Sequence, residues 1–93
     1  MIVIYAPAFL KKLKKVNVRI RKSFKERIGL FLKNPNDPIL DNHPLQDEYA
    51  GYISINITSD WRRLYSEKYT EDDIVAYFSI LGTHNDLYGK PKN

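Results

Sequence analysis

The chain contains no cysteine, which rules out both a disulfide framework and a thiolate metal site. That absence suits a reducing compartment. Long apolar runs are missing too, because the opening MIVIYAPAFLKK is cut short by its lysines and no basic segment precedes it as in a signal peptide. A soluble, cytoplasmic protein is expected, with no membrane partner. Two histidines 41 positions apart, without clustered carboxylates, make a poor ligand set. Neither a metal nor a cofactor is expected. Repeats, low-complexity segments and linkers are also lacking, and 93 residues leave room for one domain over 1–93. A chain this short buries only about 60–65% of its unfolded surface. Each large apolar side chain therefore matters.

What is present is a folded composition, 43% hydrophobic and 13% aromatic, with an uneven distribution of charge. Residues 11–27 carry nine Lys or Arg against Glu26 alone, whereas everything after Arg27 has six basic and ten acidic residues. A polyanion would meet one positive face, with Lys11, Lys12 and Lys15 as candidate contacts. The plainer reading is a solvated helical surface.

Ile2 to Tyr5 reads as a short strand, and Pro7 suits the first turn of a helix carrying Phe9, Leu10, Leu13 and Val16. Asn17 either ends that helix or caps the next. Ile20, Phe24, Ile28, Phe31 and Leu32 then recur as one apolar stripe, which the Asn34–Pro38 turn cluster ends. Ile39 to Leu45 is expected to be extended or irregular. From Tyr52 to Ile57 the pattern alternates, with Ile53, Ile55 and Ile57 facing one way and Tyr52, Ser54 and Asn56 the other. Thr58-Ser59-Asp60 turns the chain into a strand from Trp61 to Glu67, and a charged loop leads to an apolar central strand over Ile74–Leu81. Thr83 is placed to cap a last helical turn through Tyr88. The order β-α-α-β-β-β predicts an α+β two-layer domain, a helical hairpin packed on a mainly antiparallel sheet.

Four short segments stand out: Asn42-His43-Pro44-Leu45, Gly51-Tyr52, Ser59-Asp60-Trp61 with Leu64-Tyr65, and Gly82-Thr83-His84 with Leu87-Tyr88. In that order, behind a basic helical hairpin, they resemble the RelE/ParE superfamily of toxin–antitoxin toxins, most closely its YafQ-like branch. The resemblance runs nearly end to end. It implies a ribosome-dependent endoribonuclease, an mRNA interferase, monomeric alone and silenced in a hetero-oligomer with a cognate antitoxin. By position it implies catalytic roles for His43, Asp60, Arg62 and His84, the planar fork of Arg62 being suited to a phosphate, and an aromatic contact from Tyr88. One departure is Asn56, which stands where YafQ-like toxins commonly carry another catalytic histidine. An amide can donate a hydrogen bond but exchanges no proton near neutrality.

Metal-independent RNA cleavage requires a base for the 2′-hydroxyl proton, an acid for the departing 5′-oxygen, and donors that stabilise charge growing on the phosphate. Imidazole suits both proton transfers. His84 is expected as the acid, and His43 as base or phosphate holder. Asp60 is either a turn acid bonding backbone amides or a base or orienter of a histidine. Arg62 and Arg63 point to opposite faces of a regular strand, so one of them faces substrate, unless either is spent on a salt bridge to Asp60 or Glu67. Trp61 and Tyr88 could stack on bases, although Trp61 also suits the core. Two other readings compete with the nuclease. One is a ParE-like toxin acting on DNA gyrase, the other a weakened homologue kept as an antitoxin-binding module.

Overall fold

The computed structural model describes residues 1–88, apart from the side chain of Tyr88. Strand β1 (Ile2–Tyr5) leads into α1 (Pro7–Lys15) and α2 (Val18–Lys33), then a 3-10 turn at Pro38–Leu40 and a two-residue strand β2 (His43–Pro44). After a second 3-10 turn at Asp47–Tyr49 come β3 (Ile53–Asn56), β4 (Trp61–Tyr69), β5 (Ile74–Thr83) and α3 (His84–Tyr88). The sheet order is β1-β5-β4-β3-β2. Strands β2 to β5 are antiparallel neighbours, whereas β1 runs parallel to β5, with Tyr5 opposite Phe78. The α+β architecture expected from the sequence is the one found, with β2 as an added edge strand.

Local chemistry sets the helix ends. Pro7 occupies the first turn of α1, where its missing N–H is no loss. Asn17 caps α2, its side-chain oxygen accepting from the Arg19 amide at 2.7 Å. Arg21 reaches back from α2 to the carbonyls of Lys14 and Val16, at 3.0 and 2.9 Å, and so closes the end of α1. These bonds fix the hairpin before any apolar contact is counted.

Between helices and sheet lies an aromatic core. Phe31, Tyr65 and Phe78 are mutually within 5.0–5.6 Å between ring centroids, and Phe9 joins Phe78 to Tyr5 and Phe24. Leu40, Ile55, Ile57 and Ala76 are fully buried around them, and burying a side chain such as Leu or Phe contributes ~1.5–3 kcal/mol. Leu32, expected on the inward stripe of α2, is 54% exposed. At about 100° per residue Phe31 takes the inward position, and its successor is rotated off it.

Cross-strand partners share a sheet face. Ile55, Arg63 and Leu81 form one row facing the helices, and Ile53, Tyr65 and Phe78 another. The opposite face carries the row His43–Ser54–Leu64–Ile80 and, beside it, Asn56–Arg62–Gly82. A bulge makes this possible: Leu64 pairs with Ile80 but Tyr65 with Phe78, so Ser79 is the extra residue and reverses the parity of β5 beyond it. Phe78 and Leu81 thereby both reach the core.

Candidate functional site

The β3–β4 turn and the β5–α3 junction meet at one end of the sheet. Thr58 organises the turn, its Oγ1 accepting from the amides of Asp60 at 3.3 Å and Trp61 at 3.0 Å. The amide-bonding role open to Asp60 is thus filled by Thr58, and among the described residues the exposed Asp60 carboxylate makes no hydrogen bond or ion pair. Its own carbonyl accepts from the His84 amide at 2.8 Å. His84, exposed at the first position of α3, is therefore tied to Asp60 through the main chain.

Arg62 belongs to this end as well. Its Nη1 donates to the carbonyls of Thr58, Ser59 and Trp61 at 3.0, 2.9 and 3.3 Å. No ion pair links it to Asp60 or Glu67 among the described residues. Asn56 stands opposite Arg62 on β3, with its side-chain oxygen buried and without a hydrogen-bond partner among the described residues, as is the hydroxyl of Ser54 beside it. Trp61 is half-buried and packs against the core.

Arg63 corrects an expectation. Considered for substrate contact, it is instead 0% exposed, with its guanidinium carbon 4.9 Å from the Phe24 centroid and 5.3 Å from that of Phe78. Its three side-chain nitrogens have no hydrogen-bond partner among the described residues. Burial pulls its pKa down to about 10, the neighbouring Tyr5 opposing that shift. A residue held under α2 cannot reach a ligand on the other face.

His43 reaches the same face from β2. Its partner across the ladder is Ser54, and β2 lies three strand spacings from β5, roughly 14 Å across the sheet. Asp60, Arg62 and His84 gather at one end, while His43 approaches from the opposite edge. The backbone thus places His43 on one side of the Asn56–Arg62 pair, on β2, and His84 on the other, at the start of α3.

Lys11, Lys12 and Lys15 are exposed on α1. Lys12 comes near enough to α3 to help hold the Asp86 carboxyl below its usual range, after the stronger effects of the Thr83 amide and hydroxyl. The side chain of Tyr88 lies outside the described residues. Sequence reasoning passed over Asp41 and Ser54. The alternation of β3 already placed Ser54 beside Asn56, but nothing local marked Asp41, whose backbone is left-handed at φ 47°. A groove of about 440 Å³ runs along the helical hairpin, lined by apolar Leu13, Val18 and Phe24 and by cationic Arg21, Lys22 and Lys25. It lies on the helices, apart from the histidines. No described helix is long and apolar enough to cross a membrane.

No protein-family model and no curated protein matches the chain. Solved structures do. YafQ from E. coli strain BL21(DE3) is 26% identical with a TM-score of 0.72, covering 94% of this chain and 97% of that one. YafQ in an E. coli DinJ–YafQ complex is 28% identical at a TM-score of 0.65, over 94% and 97%. A RelB–RelE antitoxin–toxin complex from Methanococcus jannaschii, 24% identical with a TM-score of 0.65 over 96% and 99%, shares the fold. The chain therefore has the architecture of the RelE/ParE toxins over at least 94% of its length, with a sequence similar to that of YafQ along it.

Proposed function

We propose that this protein is the toxin of a type II toxin–antitoxin pair and an endoribonuclease that cuts mRNA on the ribosome. The observation that carries the reading is the junction where His84 is bonded to Asp60 at 2.8 Å beside Arg62, on a sheet whose outer face also carries Asn56 and His43. RNA lying along that face would have an imidazole at each side. The 2′-oxygen attacks phosphorus while its proton passes to a base. The bond to the 5′-oxygen breaks as His84 protonates it, leaving a 2′,3′-cyclic phosphate and a 5′-hydroxyl. Arg62 stabilises the charge gathering on the phosphate and shapes the turn that presents Asp60. The exposed lysines of α1 engage ribosomal RNA phosphates, which position without specifying sequence.

An antitoxin partner fits the helical groove, whose mixed apolar and cationic lining suits an acidic amphipathic segment. The solved relatives bound to DinJ and RelB lend this support. A second reading is favoured by Asn56, whose amide, its oxygen without a partner among the described residues, transfers no proton near neutrality: a weakened toxin retained to bind antitoxin. The test is induced expression of the protein and of His84→Ala, with primer extension on cellular mRNA. New 5′ ends that vanish in the variant support the nuclease. Growth arrest without new ends, or ends unchanged in the variant, defeats it, and gyrase-linked DNA breaks would redirect it to the ParE-like alternative.

A further inference from the structure

The segment before β2 is built to hold one imidazole. Asp37 starts the Pro38–Leu40 turn by accepting from the Ile39 amide at 3.0 Å, and the Asp41 amide closes it on the Pro38 carbonyl at 3.1 Å. Leu40, 0% exposed, anchors the turn in the core. Asp41 then takes the left-handed conformation, φ 47° and ψ 48°, which Asp tolerates and β-branched residues resist. Asn42 is clamped to the Pro35 carbonyl at 3.0 Å and the Tyr65 hydroxyl at 3.1 Å. The consequence is local. The Asp41 carbonyl oxygen lies 2.6 Å from Nδ1 of His43, and its carboxylate Oδ2 lies 3.7 Å from the same nitrogen.

A carbonyl oxygen has no hydrogen to give, so Nδ1 must carry it. In the neutral ring Nε2 is then a bare lone pair. Such a ring accepts a proton at Nε2 and has none to donate there. Once Nε2 is protonated, the positive charge is met on the Nδ1 side by both the carbonyl and the carboxylate of Asp41. We infer that Asp41 is a positioning residue that fixes His43 as its Nδ1–H tautomer and so makes Nε2 the proton acceptor of the site; this rests on the nuclease reading and names the base within it. Asp41 itself touches no substrate. The left-handed backbone turns its carbonyl onto the ring, and a residue unable to hold that torsion swings the carbonyl away.

The experiment uses the full chain labelled with ¹⁵N and long-range ¹H–¹⁵N correlation of the His43 ring, without RNA, at an alkaline pH where imidazole is neutral. The expected pattern is a protonated Nδ1 and a bare Nε2. Asp41→Gly keeps the torsion and the carbonyl but removes the carboxylate, so the pattern persists. Turnover on ribosome-bound mRNA then falls by no more than about fivefold, as for loss of an exposed ion pair. Asp41→Val cannot hold the torsion, so Nδ1–H gives way to Nε2–H and kcat falls about tenfold or more at unchanged KM, part of what a general base supplies. Amide shifts of β3 and β4 show that each variant is folded. An Nε2–H ring in the unaltered protein, or an Asp41→Val ring still protonated at Nδ1, overturns the assignment. If the tautomer follows Asp41 but the unaltered protein cuts no RNA, the positioning of His43 is supported and the nuclease reading falls instead.

Discussion

The amide of His84 donates to the carbonyl of Asp60 at 2.8 Å, joining the start of α3 to the β3–β4 turn, 24 residues earlier in sequence, through main-chain atoms alone. Because the bond is made by backbone atoms, a side-chain substitution at Asp60 leaves it in place. Asp60→Ala is therefore expected to hold stability within about 0.5 kcal/mol, as for other surface changes, while RNA cleavage falls about tenfold or more. Thr58→Ala removes the acceptor of two turn amides and should cost about 1–2 kcal/mol. Urea titration beside a cleavage assay separates the two. A large stability loss at Asp60 would assign it a structural role.

Arg62 makes a different prediction because its Nη1 holds three carbonyls of the turn. Bonds from a charged donor contribute about 1.5–3 kcal/mol, so Arg62→Ala should lower both the denaturation midpoint and cleavage. Arg62→Lys is expected to recover little of either, since an ammonium lacks the planar fork. Full stability in Arg62→Lys would show that one point charge suffices.

Arg63 is a charge in the core where an apolar residue would fit. Its pKa of about 10 corresponds to roughly 3 kcal/mol disfavouring the charged form. Against this stand two aromatic faces, each worth ~0.5–2 kcal/mol. The rings alone come close to offsetting this, but all three guanidinium nitrogens are buried without a hydrogen-bond partner among the described residues, a further cost, so Arg63→Met should stabilise the fold by about 1–2 kcal/mol. The folded pKa is lowered for a base, so the penalty is present at every pH below about 10 and eases as pH rises past it. The gain from methionine should thus be flat from about pH 5 to pH 9. Chemical denaturation at two pH values checks both size and flatness. A loss of stability would mean the ring contacts prevail.

Thr83 and Asp86 cap α3 reciprocally, the Thr83 amide donating to Asp86 Oδ2 at 3.1 Å and the Asp86 amide to Thr83 Oγ1 at 3.0 Å. These bonds, first the Thr83 amide and then its hydroxyl, with Lys12 adding to them, hold the Asp86 carboxyl below its usual range. A lowered carboxyl contributes stability above its unfolded pKa, about 3.9, and loses it as pH falls through the folded value. Acidification below about pH 4 should release α3, followed by the amide shifts of Thr83 and Asp86. Asp86→Asn should show no such titration.

Much of this arrangement was legible in the chain. Asn17 and Thr83 announced the caps they form, because a short polar side chain before an apolar period has few other uses. The alternation over 52–57 put Ser54 and Asn56 on one face, and Phe24 and Phe31 marked the inward side of α2. Leu32 was misplaced because periodicity gives an arc of the helix and not its edge. Local reading also left Ile39 to Leu45 extended or irregular, since the Asn42 bond to the Tyr65 hydroxyl that holds it connects residues 23 apart.

Local chemistry, then, determined the elements, their ends and the residue types able to move protons, because caps, turns and periodicity act over a few positions. Tertiary structure alone decided that β1 lies parallel to β5, that Ser79 bulges and so turns Leu81 to the core, that Arg63 is enclosed by Phe24 and Phe78, and that Asp60 meets His84. Each depends on contacts between segments far apart in the chain, whose formation is fixed by how the whole core packs and by no pattern within either segment.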